Sequence, residues 1–472
     1  MLFNSVAFLF FLPLVVILYY AIPHRDRWAL LLFASYVFYA WWKVSYLILI
    51  IFSTIVDFLL AKRISKTPKG WKRLSLLFLS LLSNIGVLFI FKYLVLFLPE
   101  GDVMIDNIYR VDHPIIGAIR YGIHYAIPVG ISFYTFQTMS YTLDVYYDRI
   151  KPEKSLGKFA LFVSFFPQLV AGPIERFANL MPQLKTQVKP LYANFANAFR
   201  LILFGFFVKI CVADNLSPFV DAIFDQPTNY SSLTVVAGMF GFGLQIYADF
   251  AGYTLIAQGA ALMLGIRLMD NFRAPYLATS IGNFWQRWHI SLSTWFRDYV
   301  YYPLGGNRTG QLRWIFNILL VFAISGFWHG ANYTFLIWGG MHGMIYLVER
   351  YLLPNRMLSK FHVFWNLIGG LRTFILVNIA WVFFRIDSLD RIPEFFGTMQ
   401  QSKGQGIINI SWWIWTMLAL FVVLDVVLRK SRFDRWVGAL ETWQRWTIYL
   451  ALLWCVMAWG GVANHPFIYF QF

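Results

Sequence analysis

Residues 314–348 read WIFNILLVFAISGFWHGANYTFLIWGGMHGMIYLV. Two apolar stretches, 314–328 and 332–348, flank a turn of small residues that carries His329. Neither stretch holds an acid, a lysine or an arginine. Basic residues bracket the pair on one side, with Arg308 and Arg313 before it and Arg350 after it. As a helix, 314–328 is about 22 Å long, short of the roughly 30 Å of a hydrocarbon core. The pair is therefore expected to form a hairpin whose turn, with His329, lies at membrane depth. The small neighbours of His329 are expected to let a substrate approach it.

The rest of the chain fits this start. Of its 472 residues 59% are hydrophobic and only 13% are charged, about half the charge of a soluble domain. One soluble core cannot hide so much apolar side chain at this length. The expected fold is all-α: a polytopic integral membrane protein of about 10–12 transmembrane helices plus re-entrant segments. Spans are expected near 5–22, 28–43, 45–60, 74–98, 114–141, 193–212, 233–264, 314–328, 332–348, 365–385, 411–428 and 446–463. Residues 28–60 would be about 50 Å as one helix, so they are divided at Trp42-Lys43. No internal repeat or soluble domain shows, and residues 1–472 read as one unit.

Charge orients the spans. The net charge is +16, and the basic residues sit between apolar runs, a pattern of cytoplasmic loops and not of nucleic-acid binding. Loop 61–73 carries Lys62, Arg63, Lys66, Lys69, Lys72 and Arg73 without an acid. Loop 99–112 has Arg110 against Glu100, Asp102, Asp106 and Asp112. The first is expected inside and the second outside, with 349–362 and 429–445 also inside and both termini extracytoplasmic. Cys211 and Cys455 lie in apolar segments and read as ordinary core residues.

Two segments resist simple spanning. Residues 156–172 are short and broken by Pro167. Residues 275–305 mix tryptophans with Asn283, Gln286, Arg287, His289, Ser291, Ser293, Arg297 and Asp298. Such backbone survives at membrane depth only where protein or a water-filled cavity surrounds it, so an internal chamber is expected.

His329 and His289 are the candidate reactive groups. An ionisable side chain at membrane depth is a functional candidate, and a neutral imidazole can act as a general base. His24, His113, His362 and His465 fall in loops, span ends or the tail, and His124 and His342 in apolar helices; these six read as structural. Residues 267–313 hold six arginines against Asp270 and Asp298, a stretch suited to phosphates or lipid headgroups. There is no Walker loop, CxxC or HExxH, and no metal site is expected. A transporter with a histidine relay is the alternative of a different class, and a noncatalytic scaffold for polysaccharide synthesis a third.

Longer motifs add a resemblance. The run Asn283-Phe284-Trp285-Gln286-Arg287-Trp288-His289-Ile290-Ser291-Leu292-Ser293-Thr294-Trp295-Phe296-Arg297-Asp298-Tyr299 resembles the core of the membrane-bound O-acyltransferase family. So do Leu304-Gly305-Gly306-Asn307-Arg308, Gly326-Phe327-Trp328-His329-Gly330, Pro128-Val129-Gly130-Ile131-Ser132-Phe133-Tyr134, Ala171-Gly172-Pro173-Ile174 and Gln245-Ile246-Tyr247-Ala248-Asp249-Phe250. The ending Pro466-Phe467-Ile468-Tyr469-Phe470-Gln471-Phe472 is similar to the alginate O-acetylation branch. The run Ala251-Gly252-Tyr253-Thr254-Leu255 looks more like the branch that exports D-alanine to teichoic acids, because it lacks the final acid of the alginate branch.

The resemblance implies a through-membrane channel inside the helices, with a catalytic core at about 114–350. It implies transfer of an acyl group, acetyl in the polysaccharide branch, from a cytoplasmic donor such as acetyl-CoA. The acceptor is a hydroxyl of an extracytoplasmic polysaccharide or of an esterase-like partner transferase; D-alanyl transfer is the alternative. His329 corresponds to the principal catalytic histidine and His289 to a second, supporting position. Arg287, Arg297, Trp288, Asn332 and Asp249 are the substrate- or donor-binding candidates.

Overall fold

The computed structural model describes residues 1–94, 128, 130–170, 172–352, 362–402, 404–407, 411–460 and 467–468, without the side chains of 362–365. The described residues are helical apart from turns and one isolated bridge between Tyr230 and Gly406. Span residues 114–127, loop 99–112, His113, His124, Ala171, His465 and most of the tail motif lie outside them.

Six described segments are long and apolar enough to cross a membrane: Trp71–Tyr93, Tyr192–Asp225, Ser232–Met263, Gln311–His329, Asn366–Arg385 and Trp412–Lys430. Val6–Ala21 is apolar but shorter. Tyr46–Lys66 and Tyr333–Leu352 are long enough yet interrupted by polar groups, among them Asp57 and His342. The break expected at Trp42-Lys43 is present: one helix ends at Ala40 and the next starts at Tyr46. Both irregular segments are broken as expected, 156–172 into Leu156–Ser164 and Phe166–Leu169. Residues 275–301 fall into Ile281–Trp285, Ile290–Phe296 and a wide turn at Arg297–Tyr301.

The outer surface is apolar. Phe10 is 75% exposed, Ile17 66%, Phe33 68% and Phe78 63%, which suits hydrocarbon and not water. Polar groups turn inward instead. Asp57 accepts from Ser80 Oγ (2.5 Å) and Asn84 Nδ2 (2.8 Å). Ser53 and Thr138 donate to Asn84 Oδ1 at 2.9 and 3.0 Å. Where lipid is as apolar as the side chains, such interhelical bonds and close packing hold helices together.

The loops gather at two ends. At one end Lys69 and Arg73 pair with Asp148, His24 meets the Lys185 carbonyl, Gln183 bonds Arg267, and Arg432 faces Asp270. At the other, Ser231 bonds Gly406, Arg385 pairs with Asp221, and Asn332 donates to the Asp387 carbonyl. The 32-residue helix Ser232–Met263, about 48 Å long, joins the two ends. Loops 61–73 and 429–445, which charge assigns to one side, thus share one end, the basic face, while most of loop 349–362 lies outside the described residues.

Candidate active site

His329 is the last residue of the helix Gln311–His329, and Tyr333–Leu352 returns from it. The legs have 19 and 20 residues, about 28 and 30 Å. They are longer than the apolar stretches because Gln311, Arg313, Glu349 and Arg350 extend the helices beyond them. Leg length therefore does not set the depth of His329; burial describes it instead, and the residue is 4% exposed. The small neighbours also have a different task from the one expected. A Cβ on Gly326 would strike the Phe335 carbonyl, one on Gly330 the Phe335 ring, and one on Gly339 the Phe322 carbonyl. These glycines let the two legs touch; they do not open space for a substrate.

The end of the histidine helix is held from outside the hairpin. Lys92 Nζ donates to the carbonyls of Trp328 (2.9 Å) and His329 (2.7 Å), and Tyr93 Oη donates to Phe327 (2.9 Å). These are three of the last carbonyls, which a helix leaves without internal partners. A wide turn at Phe89–Tyr93 ends the helix that delivers both side chains.

Around His329 the structure builds an alternating array of rings. His289 lies 6.2 Å from Trp328, and Trp328 4.8 Å from His329. His329 lies 5.1 Å from Trp338, and Trp338 5.0 Å from His342. Phe384 packs on the His329 ring at 5.2 Å. His289, His342 and Lys92 all lie within electrostatic reach of His329. The structure thus brings the two candidate histidines together and adds His342, which the sequence assigned a structural role. A lone histidine in an apolar helix has no signal of its own; only the fold reveals this one.

His289 has unusual backbone for a residue with a Cβ, at φ 43° and ψ 53°, the left-handed region that costs such residues energy. It is fully buried, and neither ring nitrogen reaches a partner in another described residue. Trp285 Nε1 donates to His342 Nδ1 at 3.4 Å, which leaves the proton of a neutral His342 on Nε2. His342 Nε2, Trp328 Nε1 and Trp338 Nε1 are also buried without a partner among the described residues. Buried polar atoms are rarely left so. Their clustering marks a place for water or a polar substrate.

The remaining candidates separate. Trp288 is buried among aromatic rings, 5.0 Å from Trp381 and 5.1 Å from Phe272. Asp249 lies in a buried ion triad: Lys209 Nζ is 2.6 Å from both Asp214 and Asp249, and the Ile468 amide donates to Asp249. Asn332 spends its amide on the Asp387 carbonyl and its oxygen on the Thr334 amide. Arg287 contacts the Ala274 carbonyl, and Arg297 is exposed and pairs with Asp298 at 2.8 Å.

A cleft of about 440 Å³ opens on the basic face between Ser232–Met263, residues 270–274 and the segment 421–435. Its walls include Tyr247 and Phe272. Phe272 lies 5.0 Å from Phe250, and Phe250 4.7 Å from His289. One ring thus separates the cleft wall from the histidine array.

Comparison with known proteins gives a consistent result. The membrane-bound O-acyltransferase family model matches residues 152–388. The chain is 38% identical to the probable alginate O-acetylase AlgI of Azotobacter vinelandii over 412 residues, 84% of this chain and 78% of that protein. It is 36% identical to the peptidoglycan O-acetyltransferase of Helicobacter pylori over 446 residues, 87% and 82% of the two chains. A teichoic acid D-alanyltransferase of Bacillus subtilis is 30% identical over 227 residues, 46% of this chain and 57% of that one.

Proposed function

Because the chain belongs to the membrane-bound O-acyltransferase family, we propose that it carries acetyl from a cytoplasmic thioester of the acetyl-CoA type to a hydroxyl on the far side of the membrane. The acceptor is a polysaccharide, or an extracytoplasmic esterase-like transferase that passes acetyl to one. The names of the two O-acetylating relatives support acetyl and a cell-envelope polymer over D-alanine, whose transferase matches less of the chain. The basic face is then cytoplasmic, the membrane is the inner one, and both termini face out.

The observation that carries this reading is the ring array around buried His329, set between the cleft of the basic face and the loops of the other. In the proposed step His329 accepts the proton of the acceptor hydroxyl as its oxygen attacks the thioester carbonyl. The oxyanion that forms takes hydrogen bonds from the unpartnered N–H groups nearby, with Trp328 and Trp338 beside His329 and His289 behind Trp328. When it collapses, the carbon–sulfur bond breaks and the thiolate takes the proton from the imidazolium. The products are an acetyl ester and a free thiol. Replacing His329 with Ala in cells tests the role: polymer-bound acetyl falls to background at normal protein level. Undiminished acetylation would remove His329 from the chemistry.

A further inference from the structure

A second, smaller cavity opens on the basic face, and none of the rings around His329 lines it. Its volume is about 230 Å³. It lies where the turn His24–Asp26, between the helices Val6–Ala21 and Arg27–Ala40, meets the short helices Leu156–Ser164 and Phe177–Lys185. His24, Arg25, Lys158 and Lys185 line it, and among the described residues no acid does. Two of these cations are already matched: Arg25 pairs with Asp26 at 3.2 Å and Lys185 with Glu153 at 2.5 Å. Lys158 has no ion-pair or side-chain hydrogen-bond partner among the described residues. His24 Nε2 lies 3.1 Å from the Lys185 carbonyl, and its Nδ1 is buried without a partner among them. The inside bias of basic residues accounts for cations at this end. It does not account for a hollow among them that holds no acid.

The walls of the cavity are apolar, with Trp28, Leu161 and Leu184. A Cβ on Gly157 would strike the Trp28 ring, so this wall rests directly on the helix Leu156–Ser164. Tryptophan beside basic residues is the composition of a membrane–water interface. Trp28, Leu32 and Tyr36 then descend one face of Arg27–Ala40 at four-residue spacing, and all three are half-buried. Such walls offer nothing to a small hydrated anion. The volume is also below the roughly 300–1,000 Å³ of most small-molecule sites. It suits a phosphate with its glycerol, the acyl chains remaining outside along the face of Leu32 and Tyr36.

We propose that this cavity binds the headgroup of an anionic phospholipid of the phosphatidylglycerol class. Lys158 meets the phosphate. So does His24 in its doubly protonated form, whose Nδ1–H gains a partner while Nε2 keeps the Lys185 carbonyl. The bound lipid joins the turn between Val6–Ala21 and Arg27–Ala40 to the helices Leu156–Ser164 and Phe177–Lys185. The proposal stands apart from the acyl-transfer reading and neither needs nor supports it.

The test counts bound lipid and needs no turnover. Purified protein, delipidated in dodecyl maltoside, is titrated with phosphatidylglycerol or phosphatidylcholine; native mass spectrometry counts the lipid retained, and the thermal midpoint is followed. The expected result is one phosphatidylglycerol retained with a raised midpoint, and neither effect with phosphatidylcholine. H24Q/K158Q should weaken phosphatidylglycerol binding at least tenfold. L184W, which fills the rim with every charge in place, should do the same. K66Q/K72Q removes two exposed cations of loop 61–73 that do not line the cavity, and it should change nothing. Midpoints without added lipid are read first, so if one cavity variant fails to fold the other carries the test. Unchanged binding in the folded cavity variants overturns the proposal, as does an equal loss in K66Q/K72Q. Displacement of the lipid by glycerol 3-phosphate at the lipid's own concentration makes this a free-phosphate site and also overturns it.

Discussion

The proposed chemistry turns on an imidazole whose surroundings come from distant parts of the chain. His329 was legible because Gly326-Phe327-Trp328-His329-Gly330 follows an uncharged run long enough to be a helix. Its support was not. Lys92 and Trp328 are separated by 236 positions, and a lysine near the end of an apolar run reads as an ordinary interfacial residue. A hydrogen bond contributes about 0.5–1.5 kcal/mol net, and a buried carbonyl left alone costs about 1–3 kcal/mol. Lys92→Met should therefore lower acetyl transfer at least tenfold and reduce the thermal midpoint in detergent. Lys92→Arg, which retains the donors, should recover part of both. Equal activity in wild type and Lys92→Met would show that the clamp does not position His329. His342 was likewise invisible: Trp338 lies one turn before it on the same helix, but Trp285 becomes its neighbour only once Ile281–Trp285 packs on the hairpin.

Among elements, helix positions were readable because membrane helices announce themselves by uncharged length. Their mutual packing was not. Gly326 and Gly339 are where two antiparallel helices meet, a contact that sequence spacing alone does not reveal. Overpacking a close contact of this kind costs about 1–3 kcal/mol. Gly339→Ala should accordingly lower the thermal midpoint of the purified protein, whereas Gly340→Ala, where a Cβ meets nothing, should not. Equal midpoints would deny the contact.

The short helix Leu156–Ser164 is tied by Glu153, which accepts from the Lys154 and Ser155 amides and pairs with Lys185 at 2.5 Å. Burial alone would raise this carboxyl. Lys185 and the two amides outweigh it and hold the carboxyl below its ordinary value. A depressed acid stabilises the fold above its unfolded pKa and loses that contribution as pH falls through its folded pKa. Glu153→Gln should thus unfold more easily than wild type at pH 7, and the gap should close in the acid range below the usual carboxylate value. A gap independent of pH would assign the effect to packing.

At the scale of the whole molecule, the loop charges sorted the loops before any contact was known. Lys69 meets Asp148, and Arg432 meets Asp270, at the same end of the long helix Ser232–Met263. The cleft escaped the sequence because its lip joins residues 270–274 to 428–435, which are far apart in the chain. Cys211 and Cys455 are buried, so single added cysteines can report sidedness with little background. Lys69→Cys and Lys430→Cys should resist an impermeant maleimide in intact cells, and Thr228→Cys should react. The opposite pattern would invert the protein and place the cleft outside.

The central claim is that acetyl enters at the basic face and leaves at the other through the array around His329. Proteoliposomes with the basic face outward, radiolabelled acetyl-CoA outside and the polysaccharide acceptor, with any esterase-like partner, sealed inside test it directly. The expected result is labelled acceptor in the lumen with wild-type protein and none with His329→Ala. Label that reaches the lumen equally well with His329→Ala, or forms only on acceptor supplied outside, would contradict it.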